Sequence, residues 1–138
     1  MIRLPDASVV VKWFCPEDPV STARAAALLD DLQRDPRSFA VPELLYSECL
    51  HVLQRKLRGE TKRVQWAMER LFRLSMTPLY FDAPVAAEAA RAMTHGLSGY
   101  DATYYAFARV VEGQWLTFDE VAAGKVPNAR YVCSLAAR

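Results

Sequence analysis

The 138-residue chain carries 17 basic and 16 acidic side chains, for a net charge of +1, and 52% of its residues are hydrophobic. This composition is typical of a globular domain and lacks the excess of positive charge that marks many nucleic-acid-binding proteins. Its three cysteines have no paired spacing, which argues against a disulfide framework or zinc site and favours a reducing compartment. We therefore expect one domain over residues 1–138, located in the cytoplasm and without a membrane span.

Short apolar runs alternate with longer amphipathic runs, beginning in the first half of the chain. Pro5 is expected to end the opening strand. The apolar run after Asp6 and Ser8 is β-branched, which favours strand, but Asp and Ser are helix-start signals, and we interpret it as a short helix. Ser21 or Thr22 is expected to cap the next helix. The predicted strands of this half are 1–4 and 38–41, and the predicted longer helices are 20–34 and 43–57.

The same alternation continues through the second half. Asp82 is expected to cap a helix that ends near Met93, and Ser98 to cap an unusually apolar and aromatic helix that is buried on most sides. Gly124 is expected to close a short helical turn. Strands separated by helices predict a mostly parallel sheet of four to five strands flanked by helices. The other predicted elements of this half are a helix over 60–75 and strands over 77–81, 114–117 and 131–133.

Two acidic residues lie in unusual positions on predicted helices. Asp101 stands three residues after Ser98, and it is either the acid of a capping box or a metal ligand held on a rigid element. Glu48 shares one helix face with Leu45 and Cys49, where an unpaired carboxylate is costly. A partner such as Arg55 would relieve that cost.

Four acids are expected at one edge of the sheet, because the carboxyl ends of parallel strands meet there. Packed carboxylates raise one another's pKa unless a cation lies among them, and oxygen ligands suit Mg²⁺ or Mn²⁺. A metal site of this kind can activate water for an in-line displacement at phosphorus. The four acids are Asp6, Glu48, Asp101 and Asp119.

Four spaced motifs resemble those of the PIN-domain nucleases, and most closely those of the VapC-type toxins of bacterial and archaeal toxin–antitoxin pairs. The resemblance spans residues 1 to about 132. It implies a three-layer α/β/α fold, Mg²⁺- or Mn²⁺-dependent cleavage of RNA, capture by an antitoxin protein and, by analogy, a homodimer. The motifs are Asp6-Ala7-Ser8 followed by Lys12-Trp13, Pro42 with Glu48 six residues on, Tyr100-Asp101-Ala102 with Tyr104, and Thr117-x-Asp119.

The resemblance assigns roles to individual residues. It implies that the four acids named above are the catalytic, metal-binding residues, and that Ser8 and Thr117 support the metal site. Pro5 departs from the family pattern, since an apolar strand residue is usual before the first Asp. Glu120 is expected to face solvent rather than to bind metal.

Basic and aromatic residues suggest contacts with RNA and with a partner protein. Lys12 and the cluster Arg55, Lys56, Arg58, Lys62 and Arg63 are candidates for phosphate contacts, although such a cluster is also typical of a solvated helical corner. Exposed aromatic residues together with the first two helices are expected to form an apolar groove for an antitoxin segment. No catalytic role is assigned to His51 or His95. The aromatic candidates are Trp13, Phe14, Trp66 and Phe72.

Two other functional interpretations stay open. A catalytically idle domain of the same fold would bind RNA or protein, but a binding module has no need of four clustered acids. A phospho-acceptor domain with Asp6 as nucleophile is less well supported, because no Asp-x-Asp pair or Gly-rich phosphate loop accompanies Asp6.

Overall fold

Five short strands and seven helices build the fold of residues 1–136, which a computed structural model describes; the last two residues of the predicted domain lie outside this range. The short helix after Asp6 is confirmed, and a 3-10 turn over Val11–Trp13 extends it. The elements are β1 Arg3–Pro5, α1 Ala7–Val10, α2 Pro19–Arg34, β2 Ala40–Pro42, α3 Leu44–Lys56, α4 Thr61–Arg73, β3 Thr77–Leu79, α5 Ala83–Met93, α6 Gly99–Val110, β4 Gln114–Thr117, α7 Glu120–Ala123 and β5 Val132–Ser134.

All described strand pairs are parallel. Strands β1, β4 and β5 are hydrogen-bonded in that order, and β2 pairs with β3. A single parallel bridge between Arg3 and Phe39 joins β1 to the segment that leads into β2. The strand order is therefore β3-β2-β1-β4-β5, with helices on both sides, and the predicted three-layer α/β/α architecture is confirmed.

Pro5 is the last residue of β1 and pairs with Leu116, so the strand ends at Pro5 as expected, although Pro5 itself belongs to the strand. Gln114 donates its N–H to Ile2 O and Asp6 donates its N–H to Leu116 O, which shows that the even-numbered residues of β1 face β4. The N–H that proline lacks would therefore point to the other side, where only the Arg3–Phe39 bridge forms. The position tolerates proline because no ladder hydrogen bond is lost.

Other boundaries shift for local reasons. Asp18, rather than Ser21 or Thr22, caps α2: its Oδ1 accepts a hydrogen bond of 2.8 Å from the Ser21 N–H. A 3-10 turn over Pro36–Ser38 delays β2 until Ala40. Strand β3 is shorter than predicted, and β5 begins one residue later.

Helix α6 is the buried centre of the molecule, as its composition predicted. Every residue from Ala102 to Ala108 is buried, and α6 packs against β1, β4 and α5. Gly113 follows this helix at a close approach, since a Cβ there would lie 2.3 Å from Ile2 O. Among the described residues, no helix is long and apolar enough to cross a membrane.

Candidate active site

Asp6 lies at the end of β1 and caps α1. Its Oδ1 accepts hydrogen bonds from the Ser8 N–H at 2.9 Å and the Ser8 hydroxyl at 2.5 Å, while its Oδ2 accepts one from Trp115 Nε1 at 3.0 Å. The residue is 7% exposed. Burial raises the pKa of Asp6, against the opposing effect of hydrogen bonds from Ser8, Thr117 and Trp115. The ionised form is therefore costly here unless a cation approaches it.

Ser8 and Thr117 connect the ends of β1 and β4. Their hydroxyl oxygens lie 3.4 Å apart, Phe118 donates its N–H to Ser8 Oγ at 2.9 Å, and Asp119 donates its N–H to Thr117 Oγ1 at 3.0 Å. These bonds fix the turn that carries Asp119 relative to Asp6. Both hydroxyls thus lie where a supporting role is feasible, and that role stays a prediction.

Glu48 lies one turn into α3 and meets Tyr104 from α6. The Tyr104 hydroxyl donates a hydrogen bond of 2.7 Å to Glu48 Oε1. Burial raises the pKa of Glu48, and the charges of Asp6 and Asp101 raise it further, whereas the Tyr104 hydrogen bond lowers it. The suggested rescue by Arg55 was wrong, because the partner is a neutral hydroxyl that leaves the acid's charge uncompensated.

Asp101 opens α6 beside the same acids. Its N–H donates to Ser98 Oγ at 3.1 Å, so Ser98 caps the helix as predicted. Burial raises the pKa of Asp101, followed by the charge of Asp6; Asp119 raises it as well, while the Ser98 hydrogen bond and the charge of Lys125 lower it. The carboxylate therefore combines a place in the first turn of a helix with a place in a group of like charges.

Asp119 stands at the outer edge of this group. It caps the short helix α7, where its Oδ1 accepts a hydrogen bond of 2.9 Å from the Ala122 N–H. Its charge acts on Asp101, as described above. Glu120, the next residue, is exposed, as expected.

The donor chemistry of this carboxylate group fits a hydrated divalent cation. The charges of Asp6 and Asp101 raise the pKa of Glu48 beyond the effect of burial, and the charge of Asp6 does the same for Asp101, so a cation would relieve this repulsion. Among residues 1–136, however, no set of three or more His, Cys, Asp or Glu side chains is arranged so that it could hold a metal ion. Mg²⁺ usually keeps several waters and takes only one or two protein carboxylates, which agrees with this spacing. Direct ligation of one ion by all four acids stays a prediction.

The basic candidates differ in whether interactions within the protein already occupy their charged groups. Lys12 Nζ donates to Ser8 O at 2.9 Å and lies 4.2 Å from the centre of the Phe118 ring, next to the acids' supporting residues. Lys56 forms an ion pair with Glu17, so its charge is partly neutralised. Arg55 and Arg58 have no ion pair within the described chain and remain the better candidates for phosphate contacts.

The aromatic candidates divide between two surfaces. Trp13 and Phe14 line a groove with Leu29 of α2 and Leu74, and Phe14 also lines the adjoining hollow with Trp66 of α4. Phe72 faces elsewhere, stacked on Tyr46 at 4.5 Å between ring centres. Of the two candidates on α4, Trp66 therefore lies beside Phe14, whereas Phe72 lies outside this surface.

Three residues near the acids were not predicted as site residues. Trp115 and Lys125 carry no distinctive sequence signal, because an aromatic residue in a buried strand and a lysine after a turn are both ordinary. Tyr104 belonged to a quoted motif but had no assigned role. Their interactions with Asp6, Asp101 and Glu48 follow only from the packing of distant segments.

The chain matches the PIN domain family over residues 3–125, and it belongs to this family. A sequence comparison with curated proteins gives no significant match. Solved structures of other proteins share the fold. PAE2754 from Pyrobaculum aerophilum has a TM-score of 0.67 at 21% identity, with 98% of this chain and 90% of that chain covered.

A toxin–antitoxin complex from Klebsiella pneumoniae has a TM-score of 0.69 at 15% identity, with 99% of each chain covered. FitAcB from Neisseria gonorrhoeae has a TM-score of 0.65 at 22% identity, with 97% of this chain and 98% of that chain covered. At these identities, the similarities establish the fold.

Proposed function

We propose that this PIN-domain protein is a metal-dependent endoribonuclease that acts as the toxin of a toxin–antitoxin pair in the cytoplasm. One observation supports the proposal: acids from separate segments interact, because the charges of Asp6 and Asp101 add to the effect of burial in raising the pKa of Glu48, and those of Asp6 and Asp119 do the same for Asp101. A protein that only binds a partner gains nothing from this repulsion. PIN domains are generally nucleases, which agrees with this interpretation.

The acids would bind the metal ion, and the ion would carry out the chemistry at the phosphate. Asp6, Glu48 and Asp101, with Asp119 at the edge, would hold Mg²⁺ or Mn²⁺. The bound ion would supply an activated water and stabilise the charge that develops on the phosphate and the leaving oxygen. Single-stranded RNA is the favoured substrate, because an unstacked, bendable strand enters a carboxylate-lined cleft more easily than a duplex.

The protein partner is proposed from the solved relatives and from the groove. One relative of this fold is a toxin–antitoxin complex, and another, FitAB, is bound to a DNA fragment. The groove lined by Trp13, Phe14 and Leu29 offers apolar surface to a helix or extended segment, with Arg70 and Arg73 along it. We propose that the adjacent gene encodes the antitoxin, and that the toxin forms a homodimer.

The decisive experiment compares wild type, Asp6→Asn and Asp30→Asn on a labelled single-stranded RNA, with Mg²⁺, with Mn²⁺ and in chelator. Asp30 is an exposed acid on α2 and serves as the matched control. Asp6→Asn should lose on the order of a hundredfold or more in rate, by analogy with other single electrostatic groups. Asp30→Asn should retain full activity.

Two outcomes would contradict the proposal. Cleavage that persists both in chelator and in Asp6→Asn would come from a contaminant or from metal-free chemistry. Absence of cleavage on every RNA tried would favour the binding module.

A further inference from the structure

Two buried aromatic residues contact two of the proposed metal-binding acids. Trp115 is 0% exposed and donates its only polar hydrogen, Nε1–H, to Asp6 Oδ2 at 3.0 Å. Tyr104 is 1% exposed and donates its hydroxyl to Glu48 Oε1 at 2.7 Å. The two rings stack, with 6.2 Å between their centres and 18° between their planes.

We propose that Trp115 and Tyr104 are positioning residues that hold Asp6 and Glu48 for the metal ion, an inference that rests on the proposed function. The path Asp6–Trp115–Tyr104–Glu48 links a strand end to α3 through the core of the molecule. A carboxylate on a flexible side chain would rotate away from its like-charged neighbours. The two aromatic donors prevent this rotation because neither ring has room to move in a close-packed interior.

The arrangement of the donors favours positioning over simple filling of the core. Each donor takes one carboxylate oxygen, and on Glu48 the second oxygen has no hydrogen bond within the described chain, so it remains available to a ligand. On Asp6 the other oxygen is engaged by Ser8, so the carboxylate is fixed at both oxygens. A phenylalanine at position 104 would fill nearly the same space without orienting Glu48.

The positions of Trp115 and Tyr104 in the fold also support this assignment. Trp115 pairs in register with Leu4, two residues before Asp6, so its side chain reaches past the end of β1. Tyr104 lies about one turn after Asp101 on α6, so the same helix carries a third acid of the group. The aromatic pair thus contacts two acids, and Tyr104 lies on the same helix as a third.

The test uses Trp115→Phe and Tyr104→Phe, which keep a ring but remove the donor. The probe is Mn²⁺ alone, titrated into the intact protein by calorimetry, alongside thermal unfolding in chelator. Each variant should bind Mn²⁺ about tenfold to a hundredfold more weakly, the usual effect of removing a hydrogen-bond partner of a metal ligand. Tyr105→Phe is the control, since Tyr105 is equally buried on α6 but donates to no acid.

Unchanged Mn²⁺ affinity in both folded variants would overturn the inference, and so would wild-type protein that binds no Mn²⁺. If Trp115→Phe fails to fold, Tyr104→Phe decides alone, because it removes a single oxygen. The two proposals fail separately: wild type that binds Mn²⁺ but cleaves no RNA refutes the nuclease and leaves the positioning role intact. Normal cleavage by the wild type, together with unchanged Mn²⁺ affinity in the variants, supports the nuclease and refutes the positioning role.

Discussion

Asp101, at the start of a helix, lies close enough to Asp6, at the end of the first strand, to feel its charge: burial raises the pKa of Asp101, and the charge of Asp6 raises it further. The folded state therefore favours the protonated form of Asp101 more than the unfolded state does. The associated stability is fully present below the ordinary pKa of 3.8 and is lost as the pH rises through the higher folded value. Near neutral pH the repulsion between the Asp6 and Asp101 carboxylates therefore destabilises the metal-free fold.

Asp101→Asn should consequently make the metal-free protein more stable at about pH 7, and the difference from wild type should shrink as the pH falls below the ordinary pKa of 3.8, where the carboxyl becomes protonated in both states. Thermal unfolding in chelator at several pH values measures this. The same variant should bind Mn²⁺ more weakly, so stability and metal affinity move in opposite directions. A variant that is less stable at neutral pH would show that the favourable interaction of the Asp101 charge with the first turn of α6 outweighs the repulsion.

The arginines at the end of α3 are expected to contribute to RNA binding. Replacing Arg55 and Arg58 together with Gln should reduce the dependence of binding on salt, by about 0.7 in the log–log slope for each phosphate that is no longer neutralised. Fluorescence anisotropy with a short single-stranded RNA, on protein with Asp6→Asn to prevent cleavage, measures the slope. Lys56→Gln should change it less, because Lys56 is already paired with Glu17. An unchanged slope in the double variant would identify the cluster as a solvated corner.

The groove and the adjoining hollow predict which exposed aromatic residue contributes most to binding of the partner. Trp66 is 54% exposed beside Phe14, and Trp66→Ala should weaken the complex with the product of the adjacent gene by about tenfold or more, as is usual for a buried aromatic anchor. Phe72 is 57% exposed but stacks on Tyr46 outside the groove, and Phe72→Ala is the control with near-normal affinity. Calorimetry on purified proteins distinguishes the two. Equal losses, or a larger loss in Phe72→Ala, would place the partner elsewhere.

Gly113 is expected to be a strict requirement for pairing β1 with β4. A Cβ at this position would lie 2.3 Å from Ile2 O, a backbone atom that cannot move without disturbing the ladder. Gly113→Ala should destabilise the fold by roughly 1–3 kcal/mol or more, the cost of forcing atoms into a packed site. Gly124→Ala is the matched control, because its nearest neighbours lie at an ordinary 3.5 Å. Chemical denaturation compares them, and equal stabilities would show that the strand end can shift.

The sequence alone determined the features that depend on local order along the chain. Hydrophobic alternation predicted the strands and helices of a parallel sheet, and acids placed directly after strands predicted where Asp6 and Asp119 would lie, because parallel strands present their carboxyl ends at one edge. The apolar composition of α6 likewise predicted its burial. Each of these inferences needs only neighbouring residues and the geometry of a regular element.

Only the tertiary structure decided which distant groups contact those acids. Trp115 is 109 positions from Asp6, and Tyr104 is 56 from Glu48, so neither partner could be predicted from spacing. The acceptance of Pro5 at the end of a strand depended on which neighbour its backbone faces, and which of Trp66 and Phe72 lies beside Phe14 depended on how α4 packs. The physical reason is common to all three: side-chain partners and backbone direction are set by packing between segments, which the order of residues within one segment does not specify.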